Sequence, residues 1–322
     1  MRYTNVFKAI VPLGIALLLI FSAGCKTYKV NVKLNADGSG ERSVELSMDE
    51  ASEGDLKIGD EEFRKLFNLD KKGWKYIEPA SGTEGDASEQ KKKMVYSRTQ
   101  TAKSIDDWLD MGNDIHIQAS LGDKRYKDIQ ISNAIAVELG ASPNGRSLTY
   151  RETVTCTKLR EAISTFAAAK FYDKVAAAYP SFDPEILIEL RGLMMGYMAI
   201  TWFKQDDSED TFSDELMTDS MVADATEIIK QVDPDADLSK LREITGAMLD
   251  DLEDELDVFV RENLPGMYLV GHAELILTLE MPGYVFEHNA TSVDGNTLTW
   301  KVDFTQIFIK PLEIFARVEF KE

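Results

Sequence analysis

"SLTYRETVTCTKLREAISTFAAAKFYDKVAAAYP", from Ser147 to Pro180, holds the junction that sets the fold class. Up to Cys156 the stretch is rich in Thr, Tyr and Val, residues that suit a pleated, half-buried surface. From Thr157 the texture changes. Alanine becomes frequent, and Leu159, Ile163, Phe166 and Ala169/Lys170 recur at helical spacing until Pro180 stops the pattern. A strand runs straight into a helix, and the helical texture persists far beyond it.

Before the junction the chain is β-rich. In "TYKVNVKL", Tyr28, Val30, Val32 and Leu34 alternate with polar residues, "NADGSG" supplies a turn, and Val44, Leu46 and Met48 resume the alternation, so an opening hairpin is expected. A helical patch follows at Phe63, Leu66, Phe67 and Leu69, then "GWKYIEP", a polar loop from Ser81 to Gln90 and a strand at "KMVYSRT". "SIDDWLDM" reads as a short helix capped by Ser104, and "DIHIQASL", "DIQISNAIAVEL" and "SLTYRETVTC" read as strands.

After Pro180, Asp183 and Pro184 form a cap and first-turn signature for the helix "EILIELRGLMMGYMAITWF". An acidic linker, "KQDDSEDTFSDE", leads to helices around Met217 to Gln231 and Ser239 to Asn263, and "NLPG" is read as their end. From Met267 the β texture returns in "MYLVGHAELILTLEMPG", "NTLTWKVDF" and "LEIFARVEF". The expected fold is therefore α+β: an antiparallel β-rich framework from 25–156 and 266–322, with a helical insertion over 157–265.

The formal charge of the chain is −20. Such a field repels phosphate backbones, so nucleic-acid binding is not expected. The chain's two cysteines are Cys25 and Cys156. If Cys25 is modified, no intrachain disulfide is possible, and Cys156 is expected to be a buried, inert thiol.

The N-terminus is the most specific part. Ala9 to Gly24 carries no charge and follows Arg2 and Lys8. As a helix this run reaches only about 24 Å, short of the roughly 30 Å hydrocarbon core, so 1–24 reads as a signal peptide rather than a span. Its end, "FSAGC", resembles the lipobox of bacterial lipoproteins, with Ser22 where Leu is usual. The resemblance implies that Ser22, Ala23 and Gly24 admit a peptidase and that Cys25 is alkylated by a diacylglyceryl group. Cys25 then becomes the first residue and carries several acyl chains, which anchor stably where one chain does not. Removing Arg2 and Lys8 with the signal takes the charge from −20 to −22, since residues 1–24 hold no acid. Lys26 after the cysteine favours the outer membrane by resemblance to the sorting rule of enteric bacteria, with the protein facing the periplasm or exterior. Lys26, Lys29 and Lys33 either lie near lipid head groups or are ordinary solvent-facing strand residues.

A second resemblance covers the β-rich parts. The order Cys25, first strand, "NADGSG", second strand, short helix, Gly73 and Trp74, "SIDDWL" and late "MPGYVFEHNATSVDGNTLTW" is similar to the LppM-like lipoproteins, above all through Pro282, Gly283, Asn289, Gly295, Asn296, Thr297 and Trp300. The resemblance implies an envelope protein with a small α+β fold linked to lipid binding. It implies no catalytic residues. Many members end in a transmembrane helix, whereas "EIFARVEFKE" resembles a last strand.

Catalytic patterns are not evident. His116, His272 and His288 lack metal-ligand spacing, and no phosphate loop or nucleophile elbow occurs. No cofactor is expected. Asp233, Asp235 and Asp237 alternate as in a calcium loop, but Leu238 stands where the turn glycine belongs and Ile244 where the bidentate Glu belongs, so a helix start is the better reading. The acids from Asp250 to Asp257, around Leu249, Leu252 and Leu256, read as a solvated helix face, with a weak cation surface as the alternative. "NAT" at Asn289 is read as a strand turn rather than a glycosylation acceptor.

One stretch is unusual for a water-soluble domain. "GLMMGYMAITWF", Gly192 to Phe203, is uncharged and too short to span a bilayer. Gly192 and Gly196 form a small-xxx-small face, while Met194, Met195, Met198 and Trp202 add soft apolar surface. Three readings stay open: a buried central helix, the wall of an apolar ligand groove, or a segment resting on a membrane. The functional expectation is a non-enzymatic, lipid-anchored envelope protein that binds a lipid or other apolar ligand. The alternative is a scaffold lipoprotein whose helical part binds another envelope protein.

Overall fold

The alternation seen at the start of the chain becomes one wall of a two-sheet framework. A computed structural model describes residues 26–49, 58–71, 73–77, 93–143, 145–203, 214–271 and 273–321. The first elements are β1 (Lys26–Leu34), β2 (Gly40–Asp49), α1 (Asp60–Leu66), β3 (Lys75–Ile77), β4 (Lys93–Ala102), α2 (Asp107–Met111), β5 (His116–Gln118), β6 (Gln130–Ser142) and β7 (Gly145–Thr157). Four long helices follow: α3 (Leu159–Ala178), α4 (Pro184–Phe203), α5 (Asp214–Val232) and α6 (Leu241–Asn263). The chain closes with α7 (Pro265–Val270), β8 (Ala273–Glu280), β9 (Tyr284–His288), β10 (Ser292–Asp294), β11 (Thr297–Asp303), α8 (Phe304–Ile309) and β12 (Leu312–Lys321). The fold is α+β. Among the described residues it separates into two compact units, 160–259 and the strands on either side of it in sequence.

The framework has a seven-stranded sheet, β10-β11-β8-β1-β2-β4-β3, and a five-stranded sheet, β5-β6-β7-β12-β9. The expected hairpin is present: β1 pairs antiparallel with β2 from Thr27↔Ser47 to Leu34↔Gly40. Its turn needs Gly38, whose φ of 82° disfavours a side chain. One departure from the antiparallel expectation is that β1 pairs in parallel with β8, from Lys26↔Ala273 to Lys33↔Glu280. Every second residue points inward. Tyr28, Val30, Val32, Leu275, Leu277, Leu279, Val44 and Leu46 are buried from one sheet, and Ile131, Ile135, Leu148, Val154, Ile314, Ala316 and Val318 from the other. The alternate positions are polar, and Lys29–Glu45, Lys33–Glu280 and Lys301–Glu274 form exposed ion pairs there.

One inward position of β2 breaks the apolar rule. Arg42 is 1% exposed and lies at the centre of a network that joins the sheets. Its Nε donates to Asp114 Oδ2 at 2.6 Å and its Nη2 to Asp114 Oδ1 at 3.0 Å and Glu152 Oε1 at 2.9 Å. Nη1 donates to Glu152 Oε2 at 2.9 Å and to the Tyr150 hydroxyl at 3.1 Å. All five guanidinium N–H groups are thereby used. Tyr150 donates to Glu152 at 2.6 Å, and Asn133 Nδ2 donates to both carboxylates, at 2.9 and 2.7 Å. Burial alone would weaken the protonated form of Arg42, but Asp114 and then Glu152 push its pKa well above the ordinary value. The Tyr150 phenol is also pushed up, by burial first and Glu152 second, so it keeps the proton it donates.

Asn289 makes a second tie between the sheets. Its Oδ1 accepts from Trp300 Nε1 on β11 and from the Phe315 amide on β12, each at 2.9 Å, and its Nδ2 donates to the Glu313 carbonyl at 2.7 Å. All of its polar atoms are committed within the fold, as the strand-turn reading of "NAT" requires.

The helical unit is built on its own core. Phe166 stacks on Phe259 with ring centroids 4.3 Å apart, and Lys170–Glu255 and Lys174–Asp251 continue that register at 3.1 and 2.7 Å. Residue numbers rise on α3 as they fall on α6, so these two helices are antiparallel. Leu249, Leu252 and Leu256 are buried while Asp250, Asp251 and Asp254 are exposed, the expected amphipathic split. Asp237 accepts from the Ser239 amide at 3.0 Å just before α6, and Lys230 Nζ donates to the Pro234 and Ala236 carbonyls at 2.6 and 3.0 Å. This is a helix-start loop, stitched by an ammonium group.

Three local expectations are corrected. "NLPG" does not end the helical texture, because Pro265 opens the short α7, and "MYLV" is helical rather than the start of β8. Gly266 is required there, since a Cβ would lie 1.8 Å from the Gln118 carbonyl oxygen. α2 begins at Asp107, and it is the Asp107 carboxylate that receives the Lys103 and Ser104 amides, at 2.6 and 3.1 Å, so Ser104 is held rather than capping. α8, "FTQIFI", lies inside what reads as continuous β texture, and Asp303 caps it by accepting from the Thr305 amide at 2.8 Å. The Ser81–Gln90 loop and most of the acidic linker lie outside the described residues.

Two outcomes are expected. Arg42→Met leaves Asp114 and Glu152 buried without their cation and should lower the unfolding free energy by about 3–5 kcal/mol, read by urea denaturation. Adding Asp114→Asn and Glu152→Gln should recover part of that loss. Separately, Cys156 Sγ and Met267 Sδ are 3.9 Å apart, so β7 and α7, the framework elements flanking the helical unit, meet. A chain in which a short Gly/Ser linker joins Cys156 to Gly266 should keep a single cooperative unfolding transition with β-type circular dichroism.

Candidate functional site

The first residue assigned a role is Cys25, which lies outside the described residues. Its neighbour Lys26 is already the first residue of β1. Thr27 pairs with Ser47, and Tyr28 is fully buried with its ring 5.7 Å from Phe304 of α8 and 6.4 Å from Phe67, next to α1. The Tyr28 hydroxyl has no hydrogen-bond partner among the described residues, and burial, followed by Asp114, raises its pKa. No linker separates Cys25 from the folded framework. Of the three lysines beside it, Lys29 and Lys33 pair with Glu45 and Glu280 across the sheet face, as solvent-facing strand residues do. The side chain of Lys26 lies outside the described residues.

The second candidate is the methionine stretch of α4. Met194 and Met198 are 0% and 5% exposed, and Met195 is half-buried. The Trp202 side chain lies outside the described residues. Successive helix positions turn by about 100°, so Gly192 and Gly196 lie roughly opposite Met194 and Met198. Both glycines are exposed, and a Cβ on either would meet nothing within 4 Å. The two features that sequence reading joined therefore sit on different sides of one helix: the methionines face inward and the glycines outward. Ile188, 63% exposed, continues the outward side. Met217 and Met221 of α5 and Met248 of α6 are also buried, so the interior of the helical unit is rich in methionine. Tyr197 donates to Asp224 Oδ2 at 2.6 Å, tying α4 to α5, and its pKa is pushed up to about 12 by burial first and that bond second. Among the described residues, no helix is long and apolar enough to cross a membrane.

Among the described residues, Cys156 and His288 are engaged by the fold. The Cys156 thiol is pushed up to about 12 by burial, so it is protonated and unreactive at neutral pH. His116 is half-buried, and its pKa is lowered by burial and then by Lys71, which leaves it neutral at pH 7. His288 Nδ1 accepts from the Ala290 amide at 3.2 Å, and His272 lies outside the described residues. Among the described residues, no three His, Cys, Asp or Glu side chains converge as metal ligands. The Arg42 network was not anticipated. Its signal was nevertheless present: Arg42, Asn133 and Glu152 each occupy an inward position of an alternating strand.

No family model and no curated protein matches this chain. Among solved structures it is similar to the NMR structure of the folded domain of LppM from Mycobacterium tuberculosis, at 7% identity over 94% of this chain and 95% of that one, with a TM-score of 0.32.

The two sides of α4 should respond differently to substitution. Met198→Ala should cost about 2–5 kcal/mol of stability, as for a packed core position. Gly192→Ala should instead raise stability by about 1 kcal/mol, because the new methyl enters open space and removes helical glycine. Chemical denaturation of the two variants, side by side, measures both.

Proposed function

We propose that this chain is a non-enzymatic, lipid-anchored protein of the bacterial cell envelope, with Cys25 as the acylated residue and the helical unit as a module that engages another envelope component. The observation that carries this reading is the sequence "FSAGC" closing an uncharged run too short to span a bilayer, one residue before β1 begins. Three further features support it. The charge carried by the chain disfavours nucleic acid, the Cys156 thiol is held protonated, and the buried acids Asp114 and Glu152 already have a cationic partner. The outer membrane is the favoured location, from Lys26 after the cysteine.

A second reading, binding of a lipid or other apolar ligand within the helical unit, is favoured by one observation. Met194, Met198, Met217, Met221 and Met248 all lie inside it, and flexible thioether side chains repack around an inserted chain more readily than branched ones. The burial of Met194 and Met198 supports the docking reading first, because a bound ligand would have to displace existing packing. Native mass spectrometry separates the two: a co-purifying lipid supports the ligand reading, and a reproducible protein partner supports the scaffold.

Cys25→Ser tests the anchor. The hydroxyl cannot replace the thiolate that accepts the diacylglyceryl group, so the precursor should remain unprocessed, or the protein should leave the membrane fraction. Detergent partitioning and intact mass read the outcome. Correct cleavage with full membrane retention of an unacylated variant would overturn it.

A further inference from the structure

The connection from β5 to β6 reads "SLGDKRYKD" from Ser120 to Asp128, placing Lys124, Arg125 and Lys127 around Tyr126 in a strongly acidic chain. The guanidinium of Arg125 lies over the Tyr126 ring, 5.2 Å from its centroid. The acids of this segment are engaged: Asp123 by Arg125 at 2.5 Å and Asp128 by Lys158 at 3.1 Å. Lys124 and Lys127 have no anionic partner among the described residues, and Leu121 is 40% exposed.

This loop lies at the same end of the framework as Lys26, the first residue of β1 and the covalent neighbour of Cys25. The Gly266 amide donates to the Ala119 carbonyl at 3.0 Å, and α7 leads from there to β8, whose first residue, Ala273, pairs with Lys26. Gln118 and Leu121 share a shallow surface concavity with Arg64, Lys65 and Asn68, while Phe67, beside them, stacks near Tyr28. Charges on that neighbouring turn are largely spent among themselves, Lys65 on Glu61 and Arg64 on Asp70, both at 2.5 Å, although Glu62 remains an acid at its rim. A strand advances about 3.3 Å per residue, so Tyr28 lies only about 7 Å from Lys26, the covalent neighbour of Cys25. Acyl chains on Cys25 would therefore hold this end of the framework at head-group level.

We infer that the loop from Leu121 to Lys127 rests on the anionic phospholipid head groups of the membrane that holds Cys25 and so fixes which way the framework faces. The inference depends on the anchor reading above. Lys124 and Lys127 supply unpaired cations, Tyr126 supplies an amphipathic ring suited to the interface, and the anchor supplies proximity at no cost in affinity. At the other end of the same sheet, Tyr284 is 80% exposed and pairs with Glu319, seven residues along β12 from Leu312 and about 23 Å away. That end points away from the bilayer.

The test uses acylated full-length protein in phosphatidylcholine vesicles, with or without phosphatidylglycerol, and an environment-sensitive fluorophore on Gly122→Cys or Tyr284→Cys. Gly122 is exposed with nothing within 4 Å of a Cβ, and Cys156, which is only half-buried, is replaced in both variants by Cys156→Ala so that it cannot take the label. The expected result has three parts. The Gly122 label is blue-shifted and quenched by head-group nitroxide lipid in phosphatidylglycerol vesicles, the Tyr284 label is not, and Lys124→Glu with Lys127→Glu abolishes the Gly122 response while the protein still floats with the vesicles. If the protein floats but both labels stay in water, or both respond equally, the loop assignment is overturned and the anchor stands. An equal Gly122 response without phosphatidylglycerol overturns the charge-based contact. Failure of the acylated protein to float at all overturns the anchor and this inference together.

Discussion

The framework depends on Arg42. A guanidinium offers five donors in a rigid plane, and here the five are divided among Asp114, Glu152 and Tyr150, which come from a loop and from the opposite sheet. A network of this kind adds little net stability over an apolar equivalent of the same shape, because removing its charges from water is expensive. What it adds is register. Slipping β2 by one residue would bring Arg42 to the solvent face and strand two carboxylates in the core, so only one pairing of the two sheets is tolerated. Asn133 reinforces this by donating to both acids while its carbonyl accepts from the Ile115 amide at 3.1 Å.

Much of this was readable in the chain. Tyr28, Val30, Val32 and Leu34 specify a half-buried strand by alternation alone, and Leu249, Leu252 and Leu256 specify the inner side of α6, because both periods follow from backbone geometry. What alternation could not reveal was partnership. Nothing local distinguishes Arg42 on an inward position from a strand drawn one residue out of phase, and its partners are distant in sequence. The two short helices were hidden for a different reason. "MYLV" and "FTQIFI" are apolar and β-prone, and only tertiary context turns them: Gly266 against Gln118 in one case, the Asp303 cap in the other.

The candidate sites show the same limit. The spacing of Gly192, Met194, Met198 and Trp202 reveals a helix, but composition does not say which side faces the core. The structure answers that question for Met194, Met198, Gly192 and Gly196. The adaptable methionines are packed inside the helical unit, while Gly192 and Gly196 lie with Ile188 on the outer side of α4.

The parallel pairing of β1 with β8 has a consequence for how the protein comes to be folded. A chain is synthesised N-terminus first, so β1 can find β2 at once, but its other edge stays open until all four long helices and α7 have followed. During that interval a half-apolar strand has a free edge, a template for unwanted pairing. Closure across so long a loop is also intrinsically slow. The helical unit spans a shorter stretch of chain and has time to form first, and the antiparallel pairing of α3 with α6 would bring the end of β7 towards α7, so that the last strands close a framework whose gap has already been shortened.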